Sequence, residues 1–456
     1  MKTLKITLLL LLGIGQSLLA TNYYLDATTG NDKNKGTSAK KPWQTLIKAN
    51  ATELKPGDTL FLKSGTVYTG QLATVGSGSA LAPIVITTYG GLVKPRIDAN
   101  GGFQTTLLIK NQQYIKVNGL DLTNTGATRI PKQSGLLIQA ADAGVLHQIK
   151  VSDLYIHDVN GSLVKKQGGG MGIEIRNGGK VIKSSFDGLL VENCHIVRTE
   201  RNGIIFNSDY WSRDLWFPNL RVVVRKCLLE EVPGDGIVPI GCEGALVEYN
   251  IMRNCTRLLP DGEAAAGIWP WSSDHTLIQY NEVSDHKAPW DAQGFDCDYN
   301  CVGTVIQYNY SHDNEGGFLL VCSPSDQRLP WSIGNDSSVV RHNLSVNDGF
   351  RLSGEHAGFS PSMLITGPVT NTLISDNVFV VPKKPAGSDL NLVKMDTWGG
   401  KWASNTTLRG NTFYVTDSAN ISLGKDINTV FLQNLYVGKV SNVPDKGSLL
   451  TEDLGL

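Results

Sequence analysis

The sequence is poor in charge, and the charge it has is balanced. Charged residues make up 18% of the 456 residues, and 41 basic residues nearly cancel 42 acidic ones. Soluble domains average about 25% charged residues. The balance provides no basic field for nucleic acid and no acidic excess typical of a disordered chain. We therefore expect a folded protein with no nucleic-acid partner.

Cysteine is scarce and follows no metal-binding spacing. The seven cysteines lie between Cys194 and Cys322, and no Cys-x-x-Cys pair occurs. An odd number leaves at least one thiol outside any intramolecular disulfide. Cys194 and Cys227 occupy equivalent positions of two repeats, which fits either a disulfide or two stacked thiols. We expect most of the cysteines to be buried in a β core.

Long apolar runs are absent after the first 20 residues. The chain begins with Lys2 and Lys5, continues with the uncharged apolar run 6–14 and reaches a small residue at Ala20. This pattern is typical of a secretory signal peptide, and the run is too short to span a bilayer. We expect residues 1–20 to be removed, leaving 21–456 as a single domain that is secreted or periplasmic and has no membrane span.

Helical periodicity is also absent, and a short repeated phrase takes its place. It reads apolar, polar, any residue, Asn, and successive asparagines are 31, 28, 34, 34, 34 and 23 residues apart. Such irregular spacing is typical of a β-solenoid, which tolerates insertions in its turns. Stacked coils lie about 4.8 Å apart, so each Asn can donate to the next coil, and we interpret the column as structural. Its members are Asn250, Asn281, Asn309, Asn343, Asn377, Asn411 and Asn434.

A second strand, introduced by glycine, follows in most repeats. Because side chains alternate along a strand, the first residue after glycine should point into the core, and the second and fourth should point outward. The outward positions should form one face along the solenoid. In chain order this face comprises Glu174, Arg176, Ile205, Asn207, Val238, Ile240, Trp269, Trp271, Asp296, Asp298, Leu319, Val321, Arg351, Ser353, Lys394 and Asp396.

The beginning of the mature chain predicts a cap. Residues 43–49 have the pattern of a short helix, which would cover the open end of a solenoid. Residues 23–65 and the repeats from 117 to 437 resemble secreted bacterial β-helix proteins of the pectate-lyase-like superfamily. The resemblance implies an all-β fold, a right-handed parallel β-helix with an N-terminal capping helix, in which residues 21–100 form the cap and first coils. It also implies activity on polysaccharides.

The motifs of the best-marked subfamilies are missing. The chain has no Asp-Asp pair, no Gly-His-Gly and no Asp-Pro-His-Asp. The resemblance therefore indicates the fold, whereas the reaction has to be inferred from the site residues.

Acidic residues concentrate in the central repeats. Asp296 and Asp298 occupy alternate positions of one strand, so their Cα atoms are about 6.6 Å apart and mutual repulsion can separate their pKa values. Asp235 and Glu263, from neighbouring repeats, are alternative members of such a pair. Glycoside hydrolases use two carboxyl groups in this way. We therefore predict a hydrolase without a cofactor, with all four acids as candidate catalytic residues.

Aromatic and charged residues surround these acids. Indole faces can stack on sugar rings, and charged or amide groups can bind hydroxyls or carboxylates. We expect a polysaccharide or oligosaccharide to bind across this face of a monomeric protein. The candidate substrate-binding residues are Trp269, Trp271, Glu174, Arg176, Asn207, Arg351 and Lys394.

Two alternatives stay open. A Ca²⁺-dependent polysaccharide lyase would use the acids to hold the metal and a cationic or imidazole side chain as the base. A non-catalytic solenoid would bind glycans on the same face without cleaving them. The candidate metal ligands are Asp291, Asp296 and Asp298, and the candidate bases are Lys394, Arg351 and His312. The sugar, its linkage, endo or exo action and the stereochemical outcome are left undetermined.

Overall fold

The computed structural model of the chain describes residues 20–324, 329–444 and 449–451. The predicted signal peptide, residues 1–20, lies outside the described residues except for Ala20. Among the described residues, no helix has the length and apolar character needed to cross a membrane.

Neighbouring strands pair in parallel and stack into a solenoid. Each coil contributes a strand to up to three long ladders, and the apolar side chains fill the space between the ladders. The prediction of an all-β, parallel β-helix is therefore confirmed.

The first ladder precedes the asparagine turn of each repeat. Its strands are Asn22–Leu25, Thr59–Lys63, Ile84–Tyr89, Ile115–Asn118, Val145–Ser152, Ser185–Glu192, Asn219–Arg225, Leu246–Glu248, Leu277–Gln279, Val305–Gln307, Val339–Arg341, Leu373–Ser375, Thr407–Arg409 and Val430–Leu432, with Cys242–Glu243 paired beside them.

The second ladder follows the asparagine turn. Its strands are Val67–Thr69, Arg96–Asp98, Asp121–Asn124, Tyr155–Val159, His195–Thr199, Leu228–Glu230, Ile251–Arg253, Glu282–Ser284, Tyr310–His312, Leu344–Val346, Val378–Val381, Thr412–Ser422, Leu435–Ser441 and Leu449–Thr451.

The third ladder contains the glycine-led strands. Its strands are Leu72–Ala73, Thr105–Lys110, Ser134–Ala141, Gly170–Gly178, Arg201–Ser208, Ile237–Val238, Gln293–Cys297, Gly317–Cys322, Met363–Thr366 and Asn391–Asp396, with a single bridging residue at Ile268. Two short ladders stand apart, one of Ala264–Ala265 and Trp290–Asp291, the other of Cys301–Val302, Asn335–Asp336 and Val369–Thr370.

The asparagine column forms as predicted. From Asn250 to Asn434, each side-chain Nδ2 donates to Oδ1 of the next asparagine at 2.9–3.0 Å. Each backbone N–H donates to the same oxygen at 2.9–3.1 Å. The column satisfies polar groups that the turn would otherwise bury without partners, which is costly.

The predicted capping helix is present but starts later than expected. It spans Leu46–Asn50 and places Leu46 and Ala49 in the core. Asp32 accepts the backbone N–H groups of Gln44 and Thr45 at 2.8 and 3.0 Å, which keeps them out of the helix. Two short 3₁₀ helices occur farther along, at Lys165–Gln167 and Arg213–Leu215.

The cysteines are all buried free thiols. The two alternatives for Cys194 and Cys227 are therefore resolved in favour of stacked thiols, which pack within the core. The other five thiols are buried as the composition predicted.

The glycine-led alignment is wrong in the coil that follows Gly294. Gly317 pairs with Gln293, so Leu319 follows Phe295 in the core and Leu320 points outward after Asp296. The adjacent pair Gly316-Gly317 shifts the register by one residue, and a shift of one residue exchanges the two faces of a strand. Leu319 and Val321 are thus core residues rather than outward ones.

Candidate active site

The third ladder carries most of the predicted outward face. Residues at the second position after glycine stack coil upon coil, and those at the fourth position form a second column beside them. The first column runs Glu174, Ile205, Val238, Trp269, Asp296, Leu320, Leu364, Lys394. The second runs Arg176, Asn207, Ile240, Trp271, Asp298, Cys322, Thr366, Asp396.

Four carboxyl groups influence one another in the central coils: Asp235, Asp291, Asp296 and Asp298, here called the acidic cluster. Burial raises the pKa of Asp291 to about 6 and the pKa of Asp298 to about 7. Burial also raises the pKa of Asp296 well above its usual range, and the other three carboxylates add to that effect. The cluster therefore retains protons near neutral pH. Carboxyl groups that donate and accept protons in catalysis need pKa values in this range.

The Asp298 carboxyl is held through one of its oxygens. The backbone N–H of Tyr299 donates to Oδ1 at 2.8 Å, and the thiol of Cys322 donates to the same oxygen at 3.0 Å. Cys322 lies one coil farther along the same column, because Cys297 pairs with Val321. Neither bond involves Oδ2, so the second oxygen is not committed to these two donors.

Asp296 has one oxygen without a partner. Its side chain is 4% exposed, and Oδ1 is buried without a hydrogen-bond partner among the described residues. Burying an unpaired carboxylate oxygen is expensive, so the protonated form is favoured there. Asp296 thus adds a neutral acid to the acidic cluster rather than a further anion.

Asp235 and Glu263 are both engaged by cations. Asp235 Oδ2 lies 3.3 Å from Lys165 Nζ, and its Oδ1 accepts the backbone N–H of Ala266 at 3.2 Å. Glu263 Oε2 accepts the backbone N–H of Lys165 at 2.8 Å and lies 3.2 Å from an Arg201 terminal nitrogen. These contacts hold two loops against the acidic cluster.

Arg201 is hydrogen-bonded to both of these loops. It is fully buried and donates to the backbone carbonyls of Leu163 and Ala264 at 3.1 and 2.7 Å. Its position next to Glu263 and Asp235 offsets their charge. No sequence pattern pointed to Arg201 or to Lys165, since each is distant in sequence from the acids it contacts.

An aromatic cleft of about 280 Å³ opens beside Asp291. Trp290 and Phe359 form parallel rings 5.6 Å apart, and the Lys394 ammonium lies 5.1 Å from the centroid of Phe359. We call it the Trp290 cleft; its lining residues are Trp290, Asp291, Leu320, Phe359, Leu364, Thr366, Asp396 and Trp398. Its size and composition suit a sugar ring.

The placement of Arg351 corrects the sequence-based one. The third ladder continues from Gly317–Cys322 directly to Met363–Thr366, so residues 349–353 belong to an insertion and not to a strand. Arg351 is 1% exposed and donates to the backbone carbonyls of Phe359 and Asp291. Arg351 does not point outward; it holds the backbone of two residues that line the Trp290 cleft.

The two tryptophans of the face lie in different surroundings. Trp269 is 9% exposed and packs with Ile205 and Val238, and the Lys165 ammonium lies 5.0 Å from its ring centroid. Trp271 belongs to an aromatic group with Trp211, Tyr299 and Trp331, at centroid distances of 5.8–6.1 Å from Trp271. Both indole N–H groups are buried without a partner among the described residues.

The remaining predicted contacts form a small network. Glu174 is fully buried, accepts a hydrogen bond from Arg176, and accepts another from Asn207 at 2.9 Å. Lys394 lies at the other end of the face, near Phe359. Of the predicted metal ligands, Asp291, Asp296 and Asp298 do adjoin; within the described ranges no three His, Cys, Asp or Glu side chains are arranged to hold a metal ion.

The sequence matches the model of a known protein family. The signature described as a right-handed β-helix region matches residues 101–357, more than half of the chain. The chain therefore belongs to the right-handed β-helix family, which confirms the predicted handedness.

Two of the similar proteins are lacto-N-biosidases. The chain is 25% identical to the lacto-N-biosidase of Bifidobacterium longum subsp. longum in an alignment that covers 90% of this chain and 32% of that protein. It thus spans about a third of that relative's length. The crystal structure of the GH136 lacto-N-biosidase from Eubacterium ramulus superposes with a TM-score of 0.69 at 25% identity, covering 87% of this chain and 68% of that one.

A more distant structure shares the fold alone. The complex of XylC with xylose superposes with a TM-score of 0.53 at 12% identity, over 95% of this chain and 86% of the other. A shared β-helix does not define a reaction, which depends on the side chains that the fold presents.

Proposed function

We propose that the protein is a glycoside hydrolase acting on an oligosaccharide or polysaccharide. The observation that carries the proposal is a cluster of carboxyl groups with raised pKa values, of which Asp291 lines an aromatic cleft. Hydrolysis of a glycosidic bond needs one protonated and one ionised carboxyl group. The similarity to two lacto-N-biosidases supports the same class of reaction.

Asp298 has the features of the general acid. Its pKa of about 7 keeps a large fraction protonated near neutral pH, and its Oδ1 is fixed by Tyr299 and Cys322. A carboxyl group held through one oxygen presents the other in a defined direction. In the proposed reaction Asp298 donates its proton to the leaving-group oxygen.

Asp291 has the features of the ionised partner. It lines the Trp290 cleft, and the charges of Lys165 and Arg351 favour its carboxylate form. With a pKa of about 6 it is ionised while Asp298 is still protonated. It acts in the proposal as nucleophile or base toward the anomeric carbon or a water molecule. This role replaces the metal-binding one that the lyase alternative assigned to Asp291.

Asp296 lies on the same strand as Asp298 and supports the pair. Because Asp296 keeps its proton, the cluster has one negative charge fewer. The electrostatic repulsion that opposes ionisation of Asp291 is therefore smaller. The sequence-based pair of Asp296 and Asp298 is thereby extended by Asp291, which is ionised in the proposed reaction while the other two are protonated.

The first substrate to test is one cleaved by a lacto-N-biosidase, because one such enzyme aligns with this chain at 25% identity and another superposes on it at the same identity. The assay measures released sugar and ultraviolet absorbance, with Ca²⁺ and with a chelator. We expect release without absorbance and without a Ca²⁺ requirement. A glycan panel extends the assay if this substrate is not cleaved.

Variants identify the catalytic groups. Asp298→Asn and Asp291→Asn should each lower kcat by about 100-fold or more, while the exposed control Asp417→Asn should retain full activity. If the reaction requires Ca²⁺ and forms an unsaturated product that absorbs in the ultraviolet, the protein is a lyase and not a hydrolase. Binding without any product, unchanged in these variants, would leave only the glycan-binding alternative.

We propose further that the protein works as a monomer outside the cytoplasm. The composition of residues 1–20, with two lysines before a short apolar run, supports the proposed export. N-terminal sequencing of the mature protein from its native host should begin at or near Thr21. Sedimentation should give one species of the mass of one chain; a cytoplasmic, uncleaved or dimeric protein would contradict this proposal.

A further inference from the structure

A second cleft lies on the N-terminal side of the acidic cluster and is rich in cations. It has a volume of about 250 Å³, and we call it the Lys165 cleft. Its floor consists of Met171, Ile205, Val238 and Trp269, which pack together outside the main core. Its cations are Lys132, Lys165, Lys166 and Arg176. An apolar floor under charged walls is the pattern of a specific binding site rather than of a solvated surface.

Two of the four cations are already neutralised. Lys165 pairs with Asp235 at 3.3 Å, and Arg176 pairs with the buried carboxylate of Glu174. Lys132 and Lys166 line the same cleft, and among the described residues neither lies within ion-pair distance of a carboxylate. The cleft therefore has an excess of positive charge that the proposed hydrolysis does not use.

The position of Lys132 depends on a glycine. A Cβ on Gly168 would lie 2.3 Å from Lys132 Cγ, and Gly168 has a φ of +95°, which other residues rarely adopt. The backbone N–H of Lys132 also donates to the carbonyl of Gly168 at 2.9 Å. The Lys132 side chain is thus laid across the loop that carries Lys165 and Lys166. This arrangement brings cations from two separate segments to one cleft.

We propose that the Lys165 cleft is a subsite for an anionic group on the glycan, a carboxylate or a sulfate ester. The inference rests on the proposed function, because it assumes that a glycan occupies the neighbouring acidic cluster. The apolar floor would contact the sugar ring that carries the anion, with Trp269 as its largest surface. Lys132 and Lys166 would supply the unpaired positive charge, which an ammonium group offers without fixed geometry.

The ladder connects this subsite with the catalytic groups. Val238, Trp269 and Asp296 occupy successive coils of one column, and coils are spaced by about 4.8 Å. Asp235 and Lys165 contribute to both the cleft and the acidic cluster. A glycan lying along the third ladder would therefore place its anionic residue toward the N-terminal coils and the bond to be cleaved at Asp291 and Asp298.

The test compares glycans that differ only in the anion. Affinities are measured by calorimetry on Asp298→Asn, which keeps the cleft intact and prevents turnover. The probes are a neutral oligosaccharide ending in lacto-N-biose, the same oligosaccharide with a terminal sialic acid, and the same with a sulfate ester. At least one anionic probe should bind about tenfold more tightly than the neutral one, and added salt should reduce that preference.

Paired lysine variants assign the preference to the cleft. In the Asp298→Asn background, Lys132→Gln with Lys166→Gln should bring the anionic and neutral affinities to within about twofold. The matched control, Lys33→Gln with Lys35→Gln, removes two exposed lysines of the N-terminal region and should leave the preference unchanged. Comparison of the sialylated and sulfated probes shows which anion is recognised.

The two proposals fail in different ways. Equal affinity for all three probes, or a preference that survives the double lysine variant, would overturn the subsite while leaving hydrolysis by the wild-type protein untouched. Selective binding of an anionic probe without any cleavage by the wild type would retain the subsite and overturn the hydrolase.

Discussion

The thiol of Cys322 donates to Oδ1 of Asp298 at 3.0 Å, across two adjacent coils of one column. This bond joins a buried cysteine to the carboxyl group proposed as the general acid. A hydrogen bond to the carboxylate favours the ionised form, so the thiol holds the pKa of Asp298 below the value that burial alone would produce.

Removing the thiol should therefore move the pH dependence of activity. Cys322→Ala should raise the pKa of Asp298 and shift the alkaline limb of kcat/KM to higher pH, whereas Cys322→Ser should restore the limb because its hydroxyl can donate. The measurement is a pH–rate profile of the three proteins. Profiles that differ only in height, with the limb in the same place, would show that Cys322 contributes packing alone.

The two catalytic groups predict a narrow optimum. Asp291 must be ionised and has a pKa of about 6, and Asp298 must be protonated and has a pKa of about 7. The kcat/KM of the wild type should thus follow a bell with its maximum between these values. Asp291→Asn and Asp298→Asn should each remove one limb from the residual activity. Activity that is constant from pH 5 to 9 would contradict the assignment.

Asp298 should also make stability depend on pH. Its pKa is raised from 3.8 to about 7 in the folded state, so the folded protein binds more protons than the unfolded chain between these values. Stability from this group is then lost as pH rises from about 4 to 7, and the loss is complete above pH 7. Asp298→Asn cannot ionise and avoids that loss.

The comparison is between melting temperatures at pH 4 and pH 8. Relative to the wild type, Asp298→Asn should gain stability at pH 8 by an amount on the order of a few kcal/mol more than at pH 4. Asp417→Asn, on the surface, serves as the control. An equal difference between Asp298→Asn and the wild type at both pH values would show that Asp298 ionises normally in the fold.

Glu263 should behave as a positioning residue. It accepts the backbone N–H of Lys165 and contacts Arg201, so its loss frees the loop that covers the acidic cluster. We expect Glu263→Ala to raise KM by about tenfold with a smaller change in kcat, and Glu263→Gln, which can still accept the Lys165 N–H, to recover most of the loss. If both Glu263 variants lower kcat as much as Asp298→Asn does, Glu263 is a catalytic residue rather than a positioning residue.

An interior member of the asparagine column should be important for stability. Asn309→Ala removes the acceptor of the Asn281 backbone N–H, which is left buried without a partner. It also removes one of the three acceptors of the Asn281 side-chain amide, which keeps the carbonyls of Val247 and Gln279. We expect a loss of about 2–4 kcal/mol, measured by denaturant unfolding. Asn22→Ala, at an exposed position outside the column, should cost less than about 1 kcal/mol. Equal losses would show that the column adds little to an ordinary turn.

The sequence predicted the periodic parts of the molecule. The asparagines, the apolar positions and the glycine-led strands recur in most of the coils, and a parallel solenoid is the arrangement that stacks such positions in register. The acids Asp296 and Asp298, the tryptophans beside them and Lys394 were found because they occupy outward positions of that repeat. The prediction was wrong at Leu319 and at Arg351, where one additional glycine and one insertion interrupt the period.

The tertiary structure decided what the insertions do. Lys165 and Arg201 reach Asp235 and Glu263 from segments 34 to 98 residues away in sequence. Phe359 returns from an insertion to stack on Trp290, and Cys322 meets Asp298 only through strand register. Insertions follow no period, so their contacts depend on how each loop packs. Burial sets the protonation of the acids, because desolvation is a property of the packed site and not of the residues alone.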